Sequence, residues 1–88
     1  MRIVVRGVVQ GVGFRPTVHR IATSMGLNGW VQNNGSNVVI VVDRDADEFV
    51  QRLRDELPPL ARLDSVEVLE SDEETGTGFR IVPSSAGQ

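Results

Sequence analysis

Two runs dense in β-branched residues, 2–9 and 38–43, limit the folds that this chain can adopt. Valine and isoleucine favour extended backbone, and apolar runs of this length are typical of strands. The first run predicts a strand buried on at least one face, and the second predicts a buried strand. Shorter strands are predicted at 29–33, 65–71 and 78–83.

Two amphipathic patterns predict helices between these strands. The first helix is predicted from about residue 15 to 25, with a proline in its first turn and a glycine at its end. The second follows a capping-box pattern, Asp45 with Glu48, and is expected to end at the two prolines at 58–59.

The order of these elements predicts the fold class. A polar turn at 33–37 should join two strands as a hairpin, which gives the order β-α-β-β-α-β followed by a short strand. This order is typical of a ferredoxin-like α+β sandwich, with two helices on one face of a mainly antiparallel sheet. We assign residues 1–83 to one domain and residues 84–88 to a flexible tail or linker.

The distribution of charge and the composition of the chain exclude some classes of protein function. Residues 1–42 carry four arginines and no acidic residue, whereas residues 43–88 carry five arginines and all twelve acidic residues. An anion approaching the first half would therefore meet no fixed negative charge there. The chain has no cysteine, which excludes disulfides and thiolate sites, and it lacks an apolar run of membrane-spanning length. We expect a cytoplasmic protein without a membrane partner.

A glycine-rich segment, GVVQGVGFRP at 7–16, lies between the first strand and the first helix. It is not a dinucleotide fingerprint, because Pro16 stands where the third glycine should be. It is not a P-loop either, because Val12 replaces the second glycine and the chain contains no lysine. Two interpretations stay open: a tight strand-to-helix turn, or a site for one phosphoryl group made by backbone N–H groups, the helix dipole and Arg15.

Two motifs in this sequence closely resemble those of the acylphosphatase family: GVVQGVGFR at 7–15 and GWVQN at 29–33. The resemblance covers almost the whole chain and implies the same ferredoxin-like sandwich. It also implies hydrolysis of carboxyl-phosphate anhydrides, such as acyl or carbamoyl phosphate, with no metal or other cofactor. By this resemblance Arg15 binds the phosphoryl group and Asn33 positions the attacking water.

The phosphate-binding backbone that the resemblance implies comprises Val9, Gln10, Gly11, Val12, Gly13, Phe14 and Arg15. The side chain of Gln10 is expected to shape the loop, and Phe14 and Trp30 are expected to pack in the fold and not to stack on substrate. His19 lies off the apolar stripe of its helix, which favours a structural contact over catalysis.

A second resemblance points to a longer protein. FRPTVHR at 14–20 and LPPLARLD at 57–64 are similar to the N-terminal acylphosphatase-like domain of the HypF family of hydrogenase-maturation carbamoyltransferases. The alternative function is therefore that of a carbamoyl-phosphate-handling domain, weakly active in isolation and followed by further domains. A nucleic-acid partner is not expected, because the predicted strands 2–9 and 38–43 carry no aromatic residue for base stacking.

Overall fold

Strands and helices alternate in the predicted order in a computed structural model, which describes residues 1–84. The predicted tail at 84–88 lies, apart from Ser84, outside the described residues. The elements are β1 (Arg2–Val8), α1 (Phe14–Ser24), β2 (Gly29–Asn34), β3 (Asn37–Val42), α2 (Ala46–Asp55), β4 (Arg62–Leu69) and β5 (Phe79–Ile81).

The strands form one sheet in the order β4-β1-β3-β2-β5. β1 pairs antiparallel with β3 and β4, and β2 pairs antiparallel with β3, whereas the short β5 pairs parallel to β2. This arrangement confirms the predicted ferredoxin-like sandwich with a mainly antiparallel sheet.

The core lies between the sheet and the two helices. Strand positions that alternate along β1 and β3 meet the apolar stripes of α1 and α2, and the central members of this core are fully buried. They include Ile3, Val5, Val18, Ile21, Val38, Ile40, Phe49 and Leu53. Because Val39 and Val41 are buried as well, β3 is covered on both faces, as its apolar sequence predicts.

The first helix ends as its sequence predicts. Gly26 has a φ of 70° and donates its amide to the carbonyl of Thr23, while Leu27 donates to Ala22. This pair of bonds is a Schellman motif, which requires a left-handed residue just past the helix end and so favours glycine. The turn back towards β2 is therefore set by local chemistry.

Three predicted details of the second half are wrong. Asp45 is not a side-chain cap: it adopts a left-handed φ of 55°, and its carboxylate pairs with Arg44 at 2.6 Å. Helix α2 ends at Asp55, with Glu56 as its C-cap, and so stops short of Leu57, where the following proline disfavours helical backbone. β4 begins at Arg62, earlier than the predicted start at residue 65. Residues 62–64 join the strand because the first two of them pair with the end of β1, although their sequence does not alternate simply between apolar and polar residues.

A segment of residues 70–78, which we call the strap, joins β4 to β5. These two strands lie at opposite edges of the sheet, so the strap has to cross the strands between them. Arg2 forms a two-pronged ion pair with Glu73, both contacts at 2.7 Å, and the indole of Trp30 donates to the carbonyl of Glu74. Both side chains flank Val41 on the face opposite the helices, which explains why that residue is buried.

We predict that Glu73→Gln lowers the free energy of unfolding at neutral pH by about 0.5–1 kcal/mol, because it weakens a partly exposed ion pair. The hydrogen bond from Arg2 holds the pKa of Glu73 below its ordinary value, and burial opposes this only in part. A carboxyl group whose pKa is lowered on folding stabilises the folded state. This stabilisation is fully present above the ordinary pKa of the group, and it is lost as the pH falls through the lowered pKa. The deficit of the variant should therefore shrink below about pH 4.

Urea unfolding at several pH values measures this difference. Glu67→Gln is the matched control, because Glu67 lies 4.0 Å from Arg6 and both side chains are more exposed. A deficit that persists unchanged in acid, or that the control reproduces, would contradict the role of the Arg2–Glu73 pair.

Candidate phosphate site

The glycine loop, residues 9–13, turns the chain from β1 into α1. Its two ends are anchored by buried apolar side chains, Val9 at the start and Phe14 just beyond it. Gly11 and Gly13 have φ values of 74° and 78°. Residues other than glycine adopt this left-handed backbone only at a cost in free energy. The packing of Phe14 in the core confirms its expected structural role.

The backbone amides of residues 10–15 donate no hydrogen bond to any atom of residues 1–84. The first turn of α1 carries no acidic side chain, and its N-cap, Gly13, offers no side-chain cap. The positive end of the helix dipole is therefore uncompensated at the loop. We call this set of amides the amide cradle. Such a set can bind one anion.

Arg15 lies in the first turn of α1, next to the amide cradle. Within residues 1–84, the side chains of Arg15 and Arg54 make neither an ion pair nor a hydrogen bond. Six of the other arginines pair with carboxylates, and the Arg80 guanidinium donates to the carbonyl of Thr75. Arg54 is exposed on α2, whereas Arg15 is partly buried. The loop thus has a guanidinium whose donors are not used within the fold.

Asn33 lies at the same end and on the same face of the sheet as the glycine loop. Val5 of β1 pairs with Val38 of β3, and Val38 pairs with Asn33 of β2, so the three form one row across the sheet. The Oδ1 atom of Asn33 is buried and has no hydrogen-bond partner within the described residues. A buried acceptor without a partner is costly unless a water or ligand supplies the missing donor.

Two features of this end of the sheet were not predicted from the sequence. The Oδ1 atom of Asn37 is also buried without a partner among the described residues. The side-chain amide of Gln10 donates to the carbonyl of Gly35 at 2.6 Å, so it reaches from the glycine loop to the β2–β3 turn. No local pattern could have revealed this bond, because its partners lie 25 residues apart in the chain.

His19 and Trp30 lie outside this set of groups. The His19 ring packs edge-on against Phe79, with centroids 6.1 Å apart, which supports the expected structural contact. Trp30 contacts the strap on the opposite face of the sheet. Neither ring is needed to build the site.

A cleft of about 550 Å³ lies at the other end of β3, and it is unsuited to an anion. It is lined by Met1 and by the segment 43–48, which contains four acidic residues. The two ends of β3 are separated by roughly 16 Å at 3.3 Å per residue. Among the described residues, no group of three histidine or acidic side chains is placed to hold a metal ion.

Within residues 1–84, the glycine loop, the unpaired guanidinium of Arg15 and the buried amide oxygen of Asn33 form a candidate anion site at one end of a ferredoxin-like α+β sandwich. The acylphosphatase family model matches residues 1–81, and the chain belongs to that family.

Three relatives illustrate the family. An acylphosphatase from Caldivirga maquilingensis is 43% identical in an alignment of 86 positions that covers 92% of this chain and 90% of that protein. The crystal structure of acylphosphatase from Bacillus subtilis superposes with a TM-score of 0.79 at 35% identity, over 92% of this chain and 94% of that one. The carbamoyltransferase HypF from Rhizobium leguminosarum bv. viciae is 46% identical in an alignment of 89 positions that covers 100% of this chain. The chain spans only 12% of the length of that carbamoyltransferase.

We predict that Gly13→Ala weakens the binding of inorganic phosphate roughly tenfold, the equivalent of one lost charge-assisted hydrogen bond. The substitution should also lower the free energy of unfolding by about 1–2 kcal/mol, because alanine must adopt the left-handed backbone. An NMR titration with inorganic phosphate and urea unfolding measure the two effects.

Gly78→Ala is the matched control for this prediction. Gly78 has a φ of 82°, and at both Gly78 and Gly13 the position that a Cβ atom would take has no other atom within 4 Å. Gly78, however, is the last residue of the strap, just before β5, and does not belong to the glycine loop. The control should lose similar stability and keep the phosphate affinity of the wild type. Equal affinity losses in both variants would show that the glycine loop has no special role.

Proposed function

We propose that this protein hydrolyses the carboxyl-phosphate anhydride of a small acyl phosphate, carbamoyl phosphate included, to the carboxylate and inorganic phosphate, without a metal ion. One observation carries the proposal: hydrogen-bonding groups without partners within residues 1–84 lie together at one end of the sheet. They are the donors of the amide cradle and of Arg15, and the acceptor Oδ1 of Asn33. Membership of the acylphosphatase family supports it.

The proposed roles divide between binding and positioning. The amide cradle and Arg15 bind the phosphoryl oxygens and stabilise the charge that develops on them, which is the main requirement of phosphoryl transfer. Oδ1 of Asn33 accepts a hydrogen bond from the attacking water and turns its lone pair towards phosphorus. A neutral amide does this without placing a negative charge beside the phosphate.

The making and breaking of bonds at phosphorus requires no further catalytic group. A new bond forms between the water oxygen and phosphorus, while the bond between phosphorus and the anhydride oxygen breaks and its electron pair leaves with the carboxylate. A carboxylate is a good leaving group, so no general acid is required. The proton of the water passes to an oxygen of the substrate phosphate, because the proposed set of residues contains no separate base.

We predict that Arg15→Gln lowers both phosphate affinity and turnover, each by roughly 10- to 100-fold, because one or two charge-assisted hydrogen bonds are lost. The measurement is steady-state hydrolysis of benzoyl phosphate together with a phosphate titration. Arg54→Gln is the matched control, because it removes the other arginine without a partner within residues 1–84 and should leave both values unchanged. Wild-type kinetics in Arg15→Gln would remove Arg15 from the site.

We predict that Asn33→Ala mainly lowers kcat, by roughly 100-fold, because the water loses its orientation while the phosphate contacts remain. KM and the affinity for inorganic phosphate should change little.

The assay is run with EDTA present, and hydrolysis by the wild type should resist the chelator. Loss of wild-type activity in EDTA would overturn the metal-independent mechanism.

A second candidate function is that of a carbamoyl-phosphate-handling domain at the start of a HypF-type carbamoyltransferase. The identity to the Rhizobium protein across the whole chain favours it. The reading frame beyond Gln88 provides the simplest test, since C-x-x-C modules are expected there only under this hypothesis. The two candidates share one site, so the variants of Arg15 and Asn33 apply to both.

We place the protein in the cytoplasm, with no nucleic-acid partner. The lack of cysteine suits a reducing compartment, and β1 and β3 offer no aromatic residue to a base. Within residues 1–84, both helices are too short to cross a bilayer.

A further inference from the structure

The side chain of Gln10 bridges the two halves of the site. Its Nε2 atom donates to the carbonyl of Gly35 at 2.6 Å and makes a longer contact of 3.5 Å with the carbonyl of Asn37. Gln10 belongs to the glycine loop, whereas Gly35 lies in the turn that follows β2 and Asn37 is the first residue of β3. One side chain therefore joins the loop that carries the amide cradle to the hairpin that carries the water-positioning amide.

This bridge begins where the backbone ladder stops. The pairing of β1 with β3 ends at Arg6 and Asn37, and beyond that point β1 continues into the glycine loop while the hairpin turns away. The bond from Gln10 supplies a connection across this gap.

We propose that Gln10 is a positioning residue that sets the distance between the bound phosphoryl group and the water held by Asn33. This inference rests on the proposed hydrolysis. Nucleophilic attack needs reacting atoms held in line, and a misplacement of about 1 Å can cost roughly 100-fold in rate. The Gln10 bond is exposed, so water can replace it when it is lost, and its removal should affect geometry more than stability.

The test is Gln10→Met, which keeps the length of the side chain and removes the donor. We expect kcat for benzoyl phosphate to fall roughly 5- to 50-fold, with KM and the affinity for inorganic phosphate changed less than about threefold. Gln51→Met is the matched control, because Gln51 bonds within α2 and should leave kcat unchanged. Circular dichroism and urea unfolding establish that both variants fold.

A double variant separates positioning from a general structural effect. If Gln10 acts through Asn33, Gln10→Met should change kcat less than about twofold in an Asn33→Ala background. The same fold-loss in both backgrounds would overturn the inference. So would a loss of phosphate affinity as large as that of Arg15→Gln, because Gln10 would then belong to the binding set.

The inference and the proposed function fail in different ways. Absence of hydrolysis by the wild-type protein overturns the proposed function. Wild-type kcat in Gln10→Met, beside an active and Asn33-dependent wild type, overturns the positioning role alone.

Discussion

The unused backbone donors between β1 and α1 are the constraint on which the site depends. A chain that passes directly from a buried strand into a helix must leave the first helical amides without helical partners. Here Gly11 and Gly13 adopt left-handed backbone in the segment before the helix, and the buried side chains of Val9 and Phe14 fix the loop at both ends. The same packing that builds the core therefore holds the donors in position, and no mobile side chain has to be ordered to form the amide cradle.

The sheet supplies the second half of the site through its register. Because Asn33 shares a row with Val38 and Val5, its side chain has to lie on the helix face, near the end of β1. A shift of one residue in the β2–β3 pairing would move it to the opposite face. The two-residue turn at Gly35 and Ser36 sets this register, so a small loop far along the chain decides where the proposed water-positioning group lies.

Much of this could be predicted from the sequence, because the signals are local. The apolar run of β3, the stripe of α1 and Gly26 each determine local structure within a few residues, and the two motifs indicate the glycine loop and Asn33 as the candidate site. The strap, the early start of β4 and the bond from Gln10 could not be predicted. Arg2 and Glu73 lie 71 residues apart in the chain, and such pairs leave no periodicity to detect. Asp45 misled the prediction because a short acidic side chain can pair with Arg44 as readily as with helix amides.

The open amide cradle also links the folding of this domain to its surroundings. An anion that binds the folded state and not the unfolded chain stabilises the fold by mass action, in proportion to the logarithm of its concentration relative to Kd. Donors that the fold itself does not use would then make the melting temperature depend on the anions of the buffer. The melting temperature of such a domain reports its intrinsic stability together with a contribution from the anions that surround it.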